Sequence, residues 1–203
     1  MSQILIVYYS MYGNCYRMAQ AIAEGVGQVP GAEPIIKRVP ELVPEEKINA
    51  NPALAAARDL QQDVPVASVD DLSHADGLIV GSPTRFSNMT AQMRNFWDQT
   101  SQLWLQGALI GKPVGLFTST ASLHGGQETT LVSMMLNMIH HGMLIVGVPY
   151  SVPELITTEQ GGTPYGPSHT AGPKADQALT EKEKIICRAL GERVARITGK
   201  LTA

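Results

Sequence analysis

Five apolar runs constrain the fold of this chain more than any other feature: residues 4–9, 35–39, 77–81, 114–118 and 144–148. Most are apolar at consecutive positions, the pattern of strands covered on both faces. Helical patterns or long connections separate them, so the chain reads as α/β with a parallel sheet. Right-handed crossovers then place helices on both faces. At 203 residues, one domain with a sizeable core is expected.

Between the strands, Met18, Ile22 and Val26 recur at helical spacing, and Pro30-Gly31 turns the chain into the second strand. Beyond that strand, Pro40, Pro44 and Pro52 interrupt the pattern, and an Ala-rich stretch at 53–61 suits a short helix. The segment from about 41 to 61 exceeds a simple crossover and is read as an insertion available for subunit contact. Residues 69–74 predict a short helix. A helix at 90–100 is expected to pack through Met93, Phe96 and Trp97, and one at 128–141 through Leu131, Met135, Met138 and Ile139. Residues 149–173, rich in Gly and Pro, form a long loop of the functional kind. The last helix starts at Thr180, with Glu183 completing a capping box and Ile186, Leu190, Val194, Ile197 and Leu201 as its buried stripe.

Net charge −3 without a Lys or Arg run argues against a nucleic-acid surface. Arg193, Arg196 and Lys200 fall in the last turns of a helix, where cations complement the dipole. Cys15 and Cys187 support neither a disulfide framework nor a zinc site, and no metal site is expected. Neither a signal-type segment nor a membrane-length apolar run is present, so a cytoplasmic location is the expectation.

In a doubly wound sheet of order 2-1-3-4-5, the loops after strands one, three and four meet at the carboxyl edge, where a ligand is expected. Here those loops are Ser10-Met11-Tyr12-Gly13-Asn14-Cys15, Gly81-Ser82-Pro83-Thr84-Arg85-Phe86-Ser87-Asn88 and Thr118-Ser119-Thr120-Ala121-Ser122-Leu123-His124-Gly125-Gly126. All three are rich in small and hydroxyl residues. The first precedes a helix, whose free N–H groups and dipole suit a phosphate. Ser10 can donate a hydroxyl, Gly13 lets the backbone turn, and Asn14 can cap or donate. There is no G-x-x-x-x-G-K-[ST] and no G-x-G-x-x-G after strand one, which disfavours a P-loop ATPase and a Rossmann dinucleotide site. A mononucleotide such as FMN fits.

Several blocks add a resemblance: Tyr8-Tyr9-Ser10-Met11-Tyr12-Gly13, Gly81-Ser82-Pro83-Thr84-Arg85-Phe86, Gly125-Gly126-Gln127-Glu128-Thr129-Thr130, His140-His141-Gly142-Met143 and Gly161-Gly162-Thr163-Pro164-Tyr165-Gly166. Together they resemble the WrbA family of flavodoxin-like NAD(P)H:quinone oxidoreductases over nearly the whole chain. The resemblance implies a five-stranded flavodoxin-like sheet, FMN as cofactor, NAD(P)H as diffusible co-substrate and a quinone as acceptor. It further implies a homotetramer and a role against oxidative stress. Ser10, Met11, Tyr12, Gly13, Asn14 and Cys15 would hold the FMN phosphate, with Tyr12 also near the nicotinamide. Pro83, Thr84, Arg85 and Phe86 would border the isoalloxazine on one side, and Ser119, Thr120, Ala121, Ser122 and Gly125 on the other. His140 would reach the flavin site and Trp104 would wall the substrate pocket, both from a neighbouring subunit. The chain departs from relatives at Asn14-Cys15-Tyr16 and Leu123-His124.

Chemistry would reside on the flavin N5, with Arg85 and His140 in support and no protein nucleophile. The second and third loops carry no Asp or Glu, so Arg85 would stabilise the anionic reduced ring and favour two-electron reduction. The expected course is ping-pong: hydride from NAD(P)H to FMN, then two electrons to the quinone. The plainer reading of Arg85 is a surface cation flanking a helix. His141 is read as structural, and the adjacent pair does not face one way as metal ligands would. Cys15 is read as a packing residue, the alternative being a thiol acidified by the helix N-terminus. The competing functions are a one-electron carrier serving a protein partner and an accessory to a DNA-binding repressor.

Overall fold

Alternation along the first strand explains its unbroken apolar run. Ile4, Ile6 and Tyr8 enter one buried cluster with Met18, Ile22, Ile186 and Leu190, while Leu5, Val7 and Tyr9 enter another with Met93, Phe96, Leu131 and Met138. The strand has no solvent face. Each such Ile or Leu side chain, removed from water, contributes roughly 1.5–3 kcal/mol.

A computed structural model describes residues 1–202. Its elements are β1 (Ser2–Tyr8), α1 (Asn14–Gly27), β2 (Ala32–Arg38), α2 (Glu45–Asn49), α3 (Pro52–Asp59), α4 (Asp70–His74) and β3 (Gly77–Pro83). There follow α5 (Ala91–Asp98), α6 (Ser101–Leu105), β4 (Pro113–Thr120), α7 (Gln127–His140), β5 (Leu144–Val146), α8 (Glu154–Thr157), β6 (Ser168–Thr170) and α9 (Glu181–Leu201). The parallel sheet has the expected order β2-β1-β3-β4-β5, with helices on both faces.

The sheet has six strands rather than the expected five. β5 pairs with the amino-terminal half of β4, Pro113–Gly115, and ends at Val146. β6 takes over the same flank along Thr118–Thr120. The loop at 149–173 therefore leaves the sheet, forms α8 and returns as a strand. Three residues lacking an apolar alternation carried no strand signal.

α1 and α9 lie side by side, and two glycines let their backbones touch. A Cβ on Gly25 would come within 2.0 Å of the Arg188 carbonyl oxygen, and one on Gly191 within 2.1 Å of that of Ile22. The capping box forms: the Thr180 hydroxyl accepts from the Glu183 N–H, and the Glu183 carboxylate accepts from the Thr180 N–H. The buried stripe of α9 is shorter than expected: Ile186, Leu190 and Val194 are buried, Ile197 is only partly so, and Leu201 is exposed. On α7, Met134 and Met138 are buried while Ile139 faces solvent. No described helix is long and apolar enough to cross a membrane.

Candidate active site: a cleft at the carboxyl edge

The three loops converge as the topology requires. They line a cleft with about 640 Å³ of atom-free space, part of it open to solvent. That lies within the roughly 300–1,000 Å³ of small-molecule and cofactor sites. The first loop contributes Ser10, Met11, Tyr12, Asn14 and Cys15, the second Pro83, Thr84 and Arg85, and the third Ser119, Thr120 and Ala121.

At the floor, Gly13 takes the N-cap position with φ +82°, and Asn14 begins α1. Asn14 is therefore no cap. Its side-chain amide instead donates to the Ala175 carbonyl at 2.9 Å. Among the described residues, no backbone N–H from Ser10 to Tyr16 has a backbone acceptor; the first to find one is Arg17, on Gly13. The hydroxyls of Ser10 and Ser119 also lack hydrogen-bond partners within the described chain. A row of unpaired donors at a helix N-terminus matches the oxygen-rich phosphate of FMN in charge and in hydrogen-bonding sense. The residues present fit that group.

Arg85 is the only charged side chain among the described residues that line the cleft. Its guanidinium folds back across the opening, donating to the Thr84 carbonyl at 2.8 Å and contacting the Met11 sulfur at 3.3 Å. It bridges the first and second loops while remaining exposed to solvent. The next residues form a tight two-residue turn: Arg85 and Asn88 exchange both backbone hydrogen bonds, at 2.7 and 3.0 Å. Phe86 and Ser87 hold φ values of 54° and 66°. Left-handed backbone costs a non-glycine residue roughly 1–2 kcal/mol, and this turn places Phe86 97% exposed at the rim.

Cys15 is buried, and burial pushes its thiol well above its ordinary pKa despite the Arg85 charge and the Ser119 N–H nearby. The packing reading holds, and the acidified thiol does not. Ser122 and Gly125 sit beyond the cleft wall, where Gly125 donates to the Ser122 carbonyl. His140 and Trp104 lie away from the cleft. Their rings stack at 5.9 Å, and the indole N–H donates to the His140 carbonyl at 3.2 Å. They share a groove with Trp97, Asn137 and His141, whose buried atoms Nε1, Nδ2 and Nδ1 have no partners among the described residues.

The fourth wall has no assignment from sequence. Ala171, Gly172, Pro173 and Ala175 close the cleft beside the third loop, because β6 delivers them there. The length of the 149–173 loop was the available signal, but it stopped short of Ala175. The insertion at 41–61 packs against the first loop from behind, through Gln61 donating to the Ser10 carbonyl at 3.1 Å. A second cavity opens there, yet its polar floor is self-satisfied: the Tyr9 hydroxyl and Gln92 amide both donate to Glu41, at 2.9 and 2.8 Å.

Comparison with known proteins agrees with this geometry. The sequence model described as "NADPH-dependent FMN reductase" matches residues 3–154. A protein of Trichlorobacter lovleyi named "NAD(P)H dehydrogenase (quinone)" is 49% identical, with 100% of each chain covered. A like-named protein of Chromohalobacter salexigens is 48% identical over 99% of each. The crystal structure of a flavodoxin, WrbA-like protein from Agrobacterium tumefaciens superposes with a TM-score of 0.66 at 26% identity, covering 98% of this chain and 99% of that one. An archaeal flavodoxin, at 20% identity and a TM-score of 0.61 over 97% and 99%, shares the fold. The chain belongs to the NADPH-dependent FMN reductase family.

Proposed function

We propose that the chain is a WrbA-type enzyme: an FMN-dependent NAD(P)H:quinone oxidoreductase working by two-electron, ping-pong transfer. The observation that carries this reading is a single cleft combining a run of unpaired N–H groups with one guanidinium and no carboxylate. Bound FMN would supply a carbon–nitrogen ring that accepts hydride from NAD(P)H and passes two electrons to a quinone.

The protein binds, orients and sets charge. Residues 10–15 would hold the phosphate by backbone N–H groups and the Ser10 hydroxyl. Pro83, Thr84 and Arg85 would border one side of the ring and Ser119, Thr120 and Ala121 the other. Arg85, already tethered across the opening, stabilises negative charge developing nearby, and no acidic side chain in the cleft opposes it. Tyr12, at the rim and 38% exposed, is placed to meet an incoming nicotinamide.

The homotetramer belongs to the same proposal. The outer face of α7 leaves Val132, Leu136 and Ile139 exposed, near Trp104 and Leu105. An uncovered apolar face of this kind is a protein-contact surface. Burying it against another subunit would bring the stacked Trp104–His140 pair to a neighbour's cleft. Light scattering of the wild type and of Leu136→Glu tests the assembly: a tetramer for the first and smaller species for the second are expected.

Anaerobic mixing of FMN-loaded protein with NADH, then benzoquinone, tests the reaction. Complete loss of the oxidised flavin absorbance and its full return on adding quinone is expected. A one-electron-reduced species persisting at half-titration would overturn the two-electron reading in favour of a carrier.

A further inference from the structure

The helix-capping glutamate of α9 carries more partners than a cap needs. Glu183 is 1% exposed, and its Oε2 accepts from the Thr180 N–H at 2.7 Å and hydroxyl at 3.0 Å. Its Oε1 accepts from the Gly161 N–H at 3.1 Å, the Thr170 N–H at 3.2 Å and the His169 Nδ1 at 3.0 Å. Four donors besides the ring converge on one carboxyl, and together with His169 they hold it below its ordinary pKa, as the carboxylate.

His169, also 1% exposed, has its other nitrogen 3.1 Å from the Gln177 carbonyl oxygen. A carboxylate and a carbonyl only accept. The ring is therefore set between two acceptors, one at each nitrogen. Neither side chain lines the cleft or takes part in the chemistry proposed above.

What the pair holds is the fourth wall of the cleft. Side chains of β6 alternate: Ser168 and Thr170 bond to Gln127 on α7, while His169 turns to Glu183 on α9. Gln177, the other partner of His169, donates its N–H to the Ala171 carbonyl at 3.0 Å. The segment 171–177 is thus a closed loop pinned at both ends by one imidazole ring. Its Ala175 carbonyl receives the Asn14 amide of the first loop.

We propose that His169, as an imidazolium, and Glu183 are positioning residues for the cofactor: their buried ion pair sets the 171–175 wall against the first loop and so fixes the width of the cleft. The cofactor part of this assignment rests on the proposed FMN function; the ordering of the wall does not.

Two measurements on the full-length protein separate these parts. Amide hydrogen exchange reads the wall directly, at Ala171, whose N–H bonds to the Thr120 carbonyl, and at Ala175 and Gln177. FMN affinity, by quenching of flavin fluorescence, reads the cleft. His169→Gln keeps a donor near Gln177 but loses the bond to Glu183. We expect exchange at these three amides to rise at least tenfold and FMN affinity to fall about tenfold, with β1 and β3 amides unchanged.

Should that variant not fold, Gly161→Ala provides the second test with both charged residues intact. Its Cβ would approach Glu183 Oε1 to 2.6 Å and the Ser168 carbonyl oxygen to 2.1 Å, wedging the clasp apart. In nitrogen-15 spectra of the wild type, both His169 nitrogens should be protonated. Unchanged exchange at the wall in a folded variant, or a neutral ring, overturns the proposal. Faster exchange with unchanged FMN affinity overturns the cofactor role alone. A wild type that binds no FMN, with faster exchange in the variant, upholds the clasp and overturns the function.

Discussion

The insertion at 41–61 and the loop at 149–179 brace the same first loop from opposite sides, and they do so with different chemistry. From the insertion comes Gln61, 6% exposed, whose neutral amide bonds the Ser10 carbonyl and, at 2.6 Å, the Ala57 carbonyl. From the other side comes a wall tied to Asn14 and anchored by a buried ion pair. A neutral brace is unaffected by acid and costs little to bury. An ionic clasp organises five donors around one point, but makes the wall depend on a protonation state. Two long connections that flank one loop thus differ in what can release them.

The sharpest way to break that comparison is Glu183→Ala. It leaves a buried imidazolium and four other donors unmet, and a loss of about 3–5 kcal/mol is expected in denaturant unfolding. Gln61→Ala on the opposite brace should cost about 1–3 kcal/mol, because the Ser10 carbonyl is stranded in a buried site. A loss for Gln61→Ala equal to that for Glu183→Ala would erase the distinction.

Acid sharpens it. Burial raises the Glu183 carboxyl pKa, but the hydrogen bonds from His169, Thr180 and Thr170 outweigh it and hold the group below its ordinary value. A lowered folded-state pKa means that stabilisation is complete above the unfolded value of roughly 4.3 and is lost as pH falls through the folded one. Stability measured from pH 7 to 3 should therefore decline for the wild type and for Gln61→Ala alike. In Glu183→Gln that part of the decline should be missing. The smallest effect is expected from Asn14→Ala, which removes one hydrogen bond: about 0.5–1.5 kcal/mol, read as a several-fold weaker FMN affinity with the unfolding midpoint barely moved.

Much of this arrangement was legible in sequence because it is local. Strands buried on both faces leave continuous apolar runs, and a Thr-x-x-Glu spacing announces its own cap. The three loops could be placed at one edge from the strand order alone. The rest is non-local or lacks its usual marker. Glu183 reaches His169 only because β6 returns to the sheet, and a three-residue strand leaves no periodicity. The turn at Phe86-Ser87 adopts the conformation that Asn-Gly normally advertises, with neither residue present. Gly13 could be seen as permissive, but not that it would take the cap position from Asn14.

The divided flank of β4 has a further consequence. An open sheet is exposed to strand addition along its margins, where unpaired N–H and C=O groups can recruit another chain. Here one margin consists of two three-residue pieces, β5 and β6, interrupted where the chain departs to form α8. The other margin, β2, carries Pro34, which has no N–H, and the charged residues Glu33, Lys37 and Arg38. Neither offers a long template for cross-strand polymerisation. Any association of copies is thereby steered away from strand pairing and towards the helical faces.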